Sequence, residues 1–156
     1  MGRKSSDPNT IDRIGSFGLQ EWHRMFYRFD TDVPLRWVDV DSAGVVNNAV
    51  YLSLMEQARY AYFSHLGLLQ GHDVPFVLAE ATLQFLKPGR LGMNVQVAAC
   101  TTKLGSTSFH MSYEVRSGDE VLCKAKAVLV IVDQQMKPCA LPDAFRETVA
   151  QFEELS

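Results

Sequence analysis

The sequence predicts a single α+β domain in which one long helix packs against an antiparallel sheet. Three observations predict this fold: an uninterrupted helical segment in the first half of the chain, four strand-like segments after it, and short polar turns between those segments. The chain has 156 residues, a length that one hydrophobic core can serve, and it shows no repeat or linker that would divide it.

The composition argues against a nucleic-acid-binding, membrane-spanning or secreted disulfide-rich protein. At 47% hydrophobic and 21% charged residues the chain is expected to fold, and a formal net charge of -3 does not suit a nucleic-acid partner. The longest apolar stretch, residues 127–132, is strand-sized, so no membrane span is predicted. The start of the chain lacks a secretory pattern, and three scattered cysteines predict no disulfide framework. We therefore expect a cytoplasmic protein.

The N-terminal part is predicted to be a partly flexible arm over residues 1–30, followed by one domain over residues 31–156. Residues 1–17 are polar and rich in Ser, Gly, Asp and Asn, whereas residues 17–27 are mixed and are expected to form a short helix or strand end. The alternating apolar residues from Val33 onward predict a strand that ends near Asp39, and the glycine-bearing loop 41–44 follows it.

The long helix is predicted from Ala49 to Leu66. Helix-forming residues dominate this segment, it contains no Gly or Pro, and Gly67 supplies a stop, which gives a helix of about 27 Å. Apolar side chains occupy nearly every side of it. A helix of that kind is expected to be buried and wrapped by the rest of the chain.

The wrapping is predicted to be an antiparallel meander of four strands followed by a terminal amphipathic helix over residues 141–155. The strand-like segments are 76–86, 93–103, 107–116 and 121–132. Residues 128–132 are apolar on both faces, so this strand is expected to be central in its sheet or sealed by a partner.

The segment from Asp39 to Asn48 carries the most informative chemistry. Asp41 lies a few residues before the predicted helix start, where free backbone N–H groups and the positive end of the helix dipole are expected. Gly44 allows a ligand to approach the loop backbone. One segment thus combines a carboxylate with donors for a developing oxyanion, which are the two parts that thioester hydrolysis needs. By itself, a carboxylate before a helix is more often a turn or cap residue.

This segment, from Leu35 through Asn47-Asn48 to Glu56 and Arg59, resembles the signature of hot-dog-fold acyl-CoA thioesterases. It is most similar to the 4-hydroxybenzoyl-CoA thioesterase family, and its Asn-Asn pair is also similar to plant acyl-carrier-protein thioesterases. The resemblance extends over roughly residues 31 to 145 and includes the turn at residues 85–92. It implies a helix wrapped by a sheet of about five strands, and a homodimer or homotetramer with sites at the subunit interface.

The resemblance also implies roles for individual residues. Asp41 is expected to be the catalytic carboxylate, the backbone N–H of Asn48 the oxyanion donor, and Glu56 the reserve base. The expected substrate-binding residues are Gly44, Val45, Val46, Asn47, Tyr51, Arg59 and Ser108. Structural roles compete with these: Asp39 fixing the loop or an arginine, Asn47 and Asn48 capping the helix through their side chains, and Glu56 and Arg59 joining each other or the sheet in ion pairs.

The predicted function is hydrolysis of an acyl-CoA to a free acid and coenzyme A, without a metal or redox cofactor. The alternatives are an acyl-carrier-protein thioesterase and, less favoured, a hydratase or a non-catalytic acyl-CoA-binding protein. The acyl group and the choice between dimer and tetramer stay open. Five cations are candidates for the phosphates of coenzyme A: Lys87, Arg90, Lys103, Lys124 and Lys126.

Overall fold

A five-stranded antiparallel sheet and two helices make up the part of the chain that the computed structural model describes, residues 26–69 and 75–156. The elements in chain order are β1 (Phe29–Asp32), a 3-10 helix (Trp37–Asp39), α1 (Val50–His65), β2 (Phe76–Phe85), β3 (Val95–Leu104), β4 (Ser108–Ser117), β5 (Glu120–Ile131) and α2 (Asp143–Glu153). Both predicted helices and the last four predicted strands are confirmed within a few residues. Neither described helix is long and apolar enough to cross a membrane.

The start of the fold differs from the prediction. Residues 33–39 were expected to be a strand, but the strand is β1, before them, and it pairs with β3 from Phe29 opposite Ala99 to Asp32 opposite Gln96. Pro34 cannot donate a ladder hydrogen bond, and the Asp39 carboxylate accepts the backbone N–H of Arg36 and closes a 3-10 turn instead. The expected strand is therefore wrong.

The end of the predicted arm contacts the sheet. Tyr27 is 9% exposed and packs with Ala98 and Cys100 on the side of β3 that faces away from the main core. The ordered fold therefore includes the end of the expected arm. The rest of that arm, and most of the segment 17–27 expected to form a helix or strand end, lie outside the described residues.

The order of the strands in the sheet is β1-β3-β4-β5-β2. The meander prediction is confirmed for β3, β4 and β5 but is wrong for β2, which pairs with β5 from Phe76 opposite Ile131 to Phe85 opposite Cys123. The doubly apolar end of β5 is consistent with this order, because β5 has a neighbouring strand, β2 or β4, on each edge. The expectation that residues 128–132 are central is confirmed.

The core lies between one face of the sheet and the two helices. On β4 the buried side chains alternate with half-buried ones, so Phe109, Met111 and Tyr113 face the helices while Ser108 and His110 face away. Helix α1 contributes Tyr62 and Phe63, both fully buried, and α2 contributes Phe145. These aromatic rings meet mostly edge-on or tilted, at centroid separations such as 5.6 Å between Phe63 and Phe109.

Only one side of α1 is buried. Leu52 and Tyr60 are each 41% exposed, and Glu56 between them is exposed as well. The predicted packing of the long helix against an antiparallel sheet is confirmed, and within the described residues the sheet covers the helix from one side. An apolar strip on the open side of α1 remains uncovered within the described residues.

The end of α2 is attached to the sheet and to α1 by polar contacts. Glu153 Oε1 accepts the Tyr62 hydroxyl at 2.6 Å and the backbone N–H of Thr101 at 3.0 Å. Arg28 forms an ion pair with Glu154 at 2.7 Å and donates to the carbonyl of Phe152 at 2.9 Å. The second contact satisfies a carbonyl in the last turn of the helix.

We expect Glu153→Ala to lower the free energy of unfolding by about 1–3 kcal/mol, because the Tyr62 hydroxyl and the Thr101 amide lose their acceptor. Glu153→Gln keeps an acceptor without a charge. Burial raises the pKa of the Glu153 carboxyl, so its contribution to stability is largest below about pH 4 and falls as the pH rises through the folded-state pKa. In urea denaturation, the free energy of unfolding of Glu153→Gln should rise relative to that of the native protein between pH 4 and pH 7. Equal decreases in this free energy for Glu153→Ala and Glu153→Gln at pH 7 would contradict this account.

Candidate active site at the start of the long helix

The turn before the site is closed by one buried carboxylate. Asp39 is 2% exposed, and its two oxygens accept the backbone N–H of Arg36 at 2.7 Å and the Arg36 guanidinium at 2.8 Å. The side-chain hydrogen bond from Arg36 holds the pKa of Asp39 below its usual range. The structural role expected for Asp39, fixing an arginine, is therefore observed.

The next loop turns around Asp41. Its Oδ1 accepts the N–H groups of Ala43 at 2.9 Å and Val45 at 3.2 Å, and its main chain exchanges hydrogen bonds with Val45 and Gly44. Gly44 has a φ of 73°, a left-handed conformation that favours glycine. The Asp41 side chain is exposed, and its Oδ2 has no hydrogen bond within the described part of the chain. One oxygen of Asp41 thus shapes the loop while the other faces outward.

The helix start leaves one backbone donor unused. The N–H of Asn47 donates to the Asp39 carbonyl at 2.9 Å, that of Ala49 to Asn47 Oδ1 at 3.0 Å, and that of Val50 to the Asn47 carbonyl at 2.9 Å. The Asn47 side chain thus satisfies a backbone N–H in the turn before α1, whose N-cap residue is Ala49. The N–H of Asn48, between these groups, has no acceptor among residues 26–69 and 75–156, and the residue is exposed. It lies at the positive end of the α1 dipole.

The loop between β2 and β3 supports this segment from the other side. The N–H of Val46 donates to the carbonyl of Gly89 at 2.8 Å, and Val45 pairs with Arg90 in an isolated antiparallel bridge. A Cβ on Gly89 would lie 2.9 Å from the Tyr51 hydroxyl and 3.0 Å from Val46 Cγ2. Only glycine allows the two backbones to approach this closely. The sequence indicated a turn here, but its contact with the site was missed.

The open side of α1 forms a groove with the segment that precedes the site. The groove encloses about 680 Å³, and its lining includes Arg36, Asp39, Ser53, Glu56 and Tyr60. Glu56 is exposed, and within the described residues it forms no ion pair. Its carboxylate is therefore open to solvent or to a ligand, two turns into the helix.

Arg59 does not make the ion pair that its position suggested. Its side chain is buried, the residue being 6% exposed, and it donates to the Tyr113 hydroxyl at 2.9 Å, with the guanidinium carbon 5.9 Å from the centre of the same ring. No carboxylate of the described residues lies within ion-pair distance of it. The expected pairing with Glu56 or across the sheet is wrong, because Glu56 lies on the open side of α1 while Arg59 faces the sheet. Burial raises the pKa of Tyr113. The Tyr113 hydroxyl therefore stays neutral, and its oxygen accepts the hydrogen bond from Arg59.

The structure brings together only part of the expected substrate-binding set. Gly44, Val45 and Asn47 lie on the loop around the free Asn48 N–H, whereas Val46 and Tyr51 are 3% and 2% exposed and belong to the core. Ser108 is not at this loop: it is on β4 in the set that faces away from the helices, next to the core residue Phe109. Within one chain, alternation along the strand places Ser108 on the face of the sheet opposite to the helices.

Comparisons with known proteins identify the family of this chain and agree with its fold. The sequence profile of the thioesterase-like superfamily matches residues 35–149. The chain belongs to this superfamily. The acyl-CoA thioester hydrolase YbgC of Escherichia coli is 30% identical to this chain over 133 residues, which are 81% of this chain and 96% of YbgC. An acyl-acyl carrier protein thioesterase of Arabidopsis thaliana, ATL3, is 24% identical over 91% of this chain and 75% of its own.

Similar solved structures confirm the predicted hot-dog fold. A Thermus thermophilus thioesterase, crystallised with coenzyme A and zinc, superposes with a TM-score of 0.76 at 35% identity over 84% of this chain and 98% of its own. The 1,4-dihydroxy-2-naphthoyl-CoA thioesterase Slr0204 of Synechocystis has a TM-score of 0.71 at 22% identity, covering 78% of this chain and 95% of its own, and it supports the fold alone. The narrower 4-hydroxybenzoyl-CoA family is not confirmed.

We expect Asp39→Asn to lower the free energy of unfolding by about 1–3 kcal/mol at pH 7, because a buried carboxylate that accepts charged hydrogen bonds is lost. The folded-state pKa of Asp39 is depressed, so its contribution is present above the unfolded pKa of about 3.9 and disappears as the pH falls through the folded-state pKa. The difference between native protein and variant should therefore shrink in acid. Asp32→Asn is the matched control, since exposed Asp32 accepts one hydrogen bond, from Gln96.

Proposed function

We propose that this protein is an acyl-CoA thioesterase, which hydrolyses an acyl-CoA to a free acid and coenzyme A at the loop between Asp41 and Asn48. The observation that carries the proposal is the exposed, unused N–H of Asn48 at the start of α1, on the same short segment as the outward-facing oxygen of Asp41. A donor at a helix start stabilises the negative charge that develops on the thioester oxygen.

In the proposed reaction the thioester carbonyl oxygen accepts a hydrogen bond from the Asn48 N–H. Asp41 acts through its Oδ2, because its Oδ1 is engaged by the N–H groups of Ala43 and Val45. As a general base it takes a proton from water, whose oxygen adds to the carbonyl carbon. The tetrahedral intermediate then collapses, the carbon–sulfur bond breaks, and the departing thiolate takes the proton from Asp41. As a nucleophile, Asp41 would instead form an acyl anhydride that water hydrolyses.

The relatives support a coenzyme A thioester as the substrate. YbgC is an acyl-CoA thioester hydrolase, and the Thermus thermophilus thioesterase binds coenzyme A. A carrier-protein thioester is the second candidate, favoured by the likeness to ATL3, an acyl-acyl carrier protein thioesterase. Both substrates present the same thioester chemistry to Asp41 and Asn48. A panel of acyl-CoAs and acyl-carrier proteins that share the same acyl groups separates the two.

We expect Asp41→Asn to lower kcat/KM by at least about a hundredfold, because the amide retains the loop-shaping acceptor but is neither a base nor a nucleophile. Asp133→Asn is a closely matched control. Asp133 Oδ1 accepts N–H groups two and four residues ahead, from Gln135 at 2.8 Å and Lys137 at 3.0 Å, as Asp41 does, but it lies away from the start of α1. Thiol release from acyl-CoAs measures the activity of both variants.

Equal activity of the Asp41→Asn and Asp133→Asn variants would contradict the role of Asp41. Glu56, exposed on the open side of α1, is then the carboxylate to replace by glutamine. Loss of turnover in Asp41→Asn with an unchanged thermal midpoint assigns the effect to chemistry and not to folding. A native protein that binds acyl-CoA but never hydrolyses it would replace the proposed enzyme with an acyl-CoA-binding protein.

We also propose that two copies of the chain associate through the edge strand β2. Its only partner strand among the described residues is β5, so its other edge has free N–H and C=O groups over a strand of 10 residues. Large apolar residues on β2 and on the open side of α1 are exposed: Leu52 and Tyr60 at 41%, Leu78 at 42% and Phe85 at 45%. A second copy would pair the edge and cover this strip. It would also enclose the groove that contains Glu56.

Light scattering should give a mass of at least twice the 17.5 kDa of one chain. Leu78→Lys should shift the protein towards the monomer, because the added charge lies on the exposed edge strand. Ala144→Lys, which places the same charge on an exposed position of α2, should leave the mass unchanged. A native protein that is monomeric at micromolar concentration would refute the association.

A further inference from the structure

Five cations were candidates for contacts with phosphates, and the structure separates them. Lys124 and Lys126 alternate on β5 with the core residues Ala125 and Ala127, so they project from the side of the sheet that faces away from α1. Lys103 lines a groove with His110, whose side chain faces away from α1 as well. These three cations are therefore on the face of the sheet opposite to the helices.

The remaining two cations, Lys87 and Arg90, belong to the loop between β2 and β3. Lys87 is engaged in an ion pair with Glu120, at 3.0 Å between Nζ and Oε1. Arg90 is exposed, and no carboxylate of the described residues forms an ion pair with it. Arg90 is thus the one cation of this set that combines an unengaged guanidinium with a position near the candidate active site.

The backbone of Arg90 is attached to that site. Arg90 pairs with Val45, and its neighbour Gly89 accepts the N–H of Val46, where a side chain larger than hydrogen would clash with Tyr51. Paired Cα atoms lie about 5 Å apart, and Val45 is three residues before Asn48, so the Arg90 Cα lies within roughly 17 Å of the oxyanion donor. An extended pantetheine arm can span a separation up to this limit.

We propose that Arg90 binds the phosphate at the far end of the pantetheine arm while the thioester lies at Asn48. The planar guanidinium suits bidentate recognition of a phosphate, and the exposed Leu91 beside it offers apolar contact to the dimethyl group of the arm. Arg90 therefore recognises the phosphorylated group that carries the thioester, and it does not recognise the acyl group. Coenzyme A and the prosthetic group of a carrier protein share this phosphate. The inference rests on the proposed thioesterase function.

The test compares three thioesters of one acyl group, made with coenzyme A, 4′-phosphopantetheine and pantetheine. For Arg90→Gln we expect KM to rise about tenfold to a hundredfold on the two phosphorylated substrates, with kcat unchanged, and both constants to be unchanged on acyl-pantetheine. Lys87→Gln is the control from the same loop, where the lost contact is an exposed ion pair, and its KM should change less than threefold.

Each alternative outcome overturns the assignment. An equal loss on all three substrates would mean that Arg90 acts by positioning the loop, and a loss confined to acyl-CoA would place Arg90 at the phosphate of the ribose instead. Unchanged constants on every substrate would mean that the phosphate is bound elsewhere. Calorimetry with coenzyme A and pantetheine as probes measures the same preference without turnover, so it tests Arg90 even if the native protein proves not to be a thioesterase.

Discussion

The candidate site depends on the hydrogen bonds that the buried Asp39 carboxylate accepts from Arg36. The side chain of Asp39 closes the 3-10 turn by accepting both the backbone and the guanidinium of Arg36, while its main-chain carbonyl accepts the N–H of Asn47. One residue therefore fixes the chain on both sides of the loop that contains Asp41. A charged group at 2% exposure is costly unless its oxygens are paired, and here the pairing also places the start of α1.

The loop around Asp41 is not itself unusual. The same hydrogen-bond pattern recurs at Asp133, where the main chain exchanges bonds with Lys137 and Met136 and a positive φ, 62° at Met136, replaces that of Gly44. The second loop joins the end of β5 to the segment before α2 and has no helix start beside it. What distinguishes Asp41 is therefore its location: the loop leads directly into a helix whose Asn48 N–H has no acceptor among the described residues.

The described chain has a closed side and an open side. The aromatic core between the sheet and the two helices is dense, and α2 is joined to α1 and β3 through Glu153. On the open side, β2 has an edge with no partner strand among the described residues, and the apolar residues Leu52 and Tyr60 of α1 are exposed. These features share one explanation in the proposed second copy, since a partner at this edge would cover all of them.

The sequence by itself determined the long helix, the four later strands and the superfamily, and it pointed to the segment that we propose as the site. Hydrophobic periodicity, glycines that end helices and the motif from Asp39 to Asn48 all involve residues that are close together in the sequence. They can therefore be recognised without knowing which distant segments pack against them. Only the tertiary structure decided that β2 pairs with β5, that Ser108 faces away from the site, that Arg59 meets Tyr113, and that the backbone at Gly89 and Arg90 contacts the loop of Asp41. These contacts join segments that are distant in the sequence. The packing of the whole core sets the register of the strands and the face on which each side chain lies.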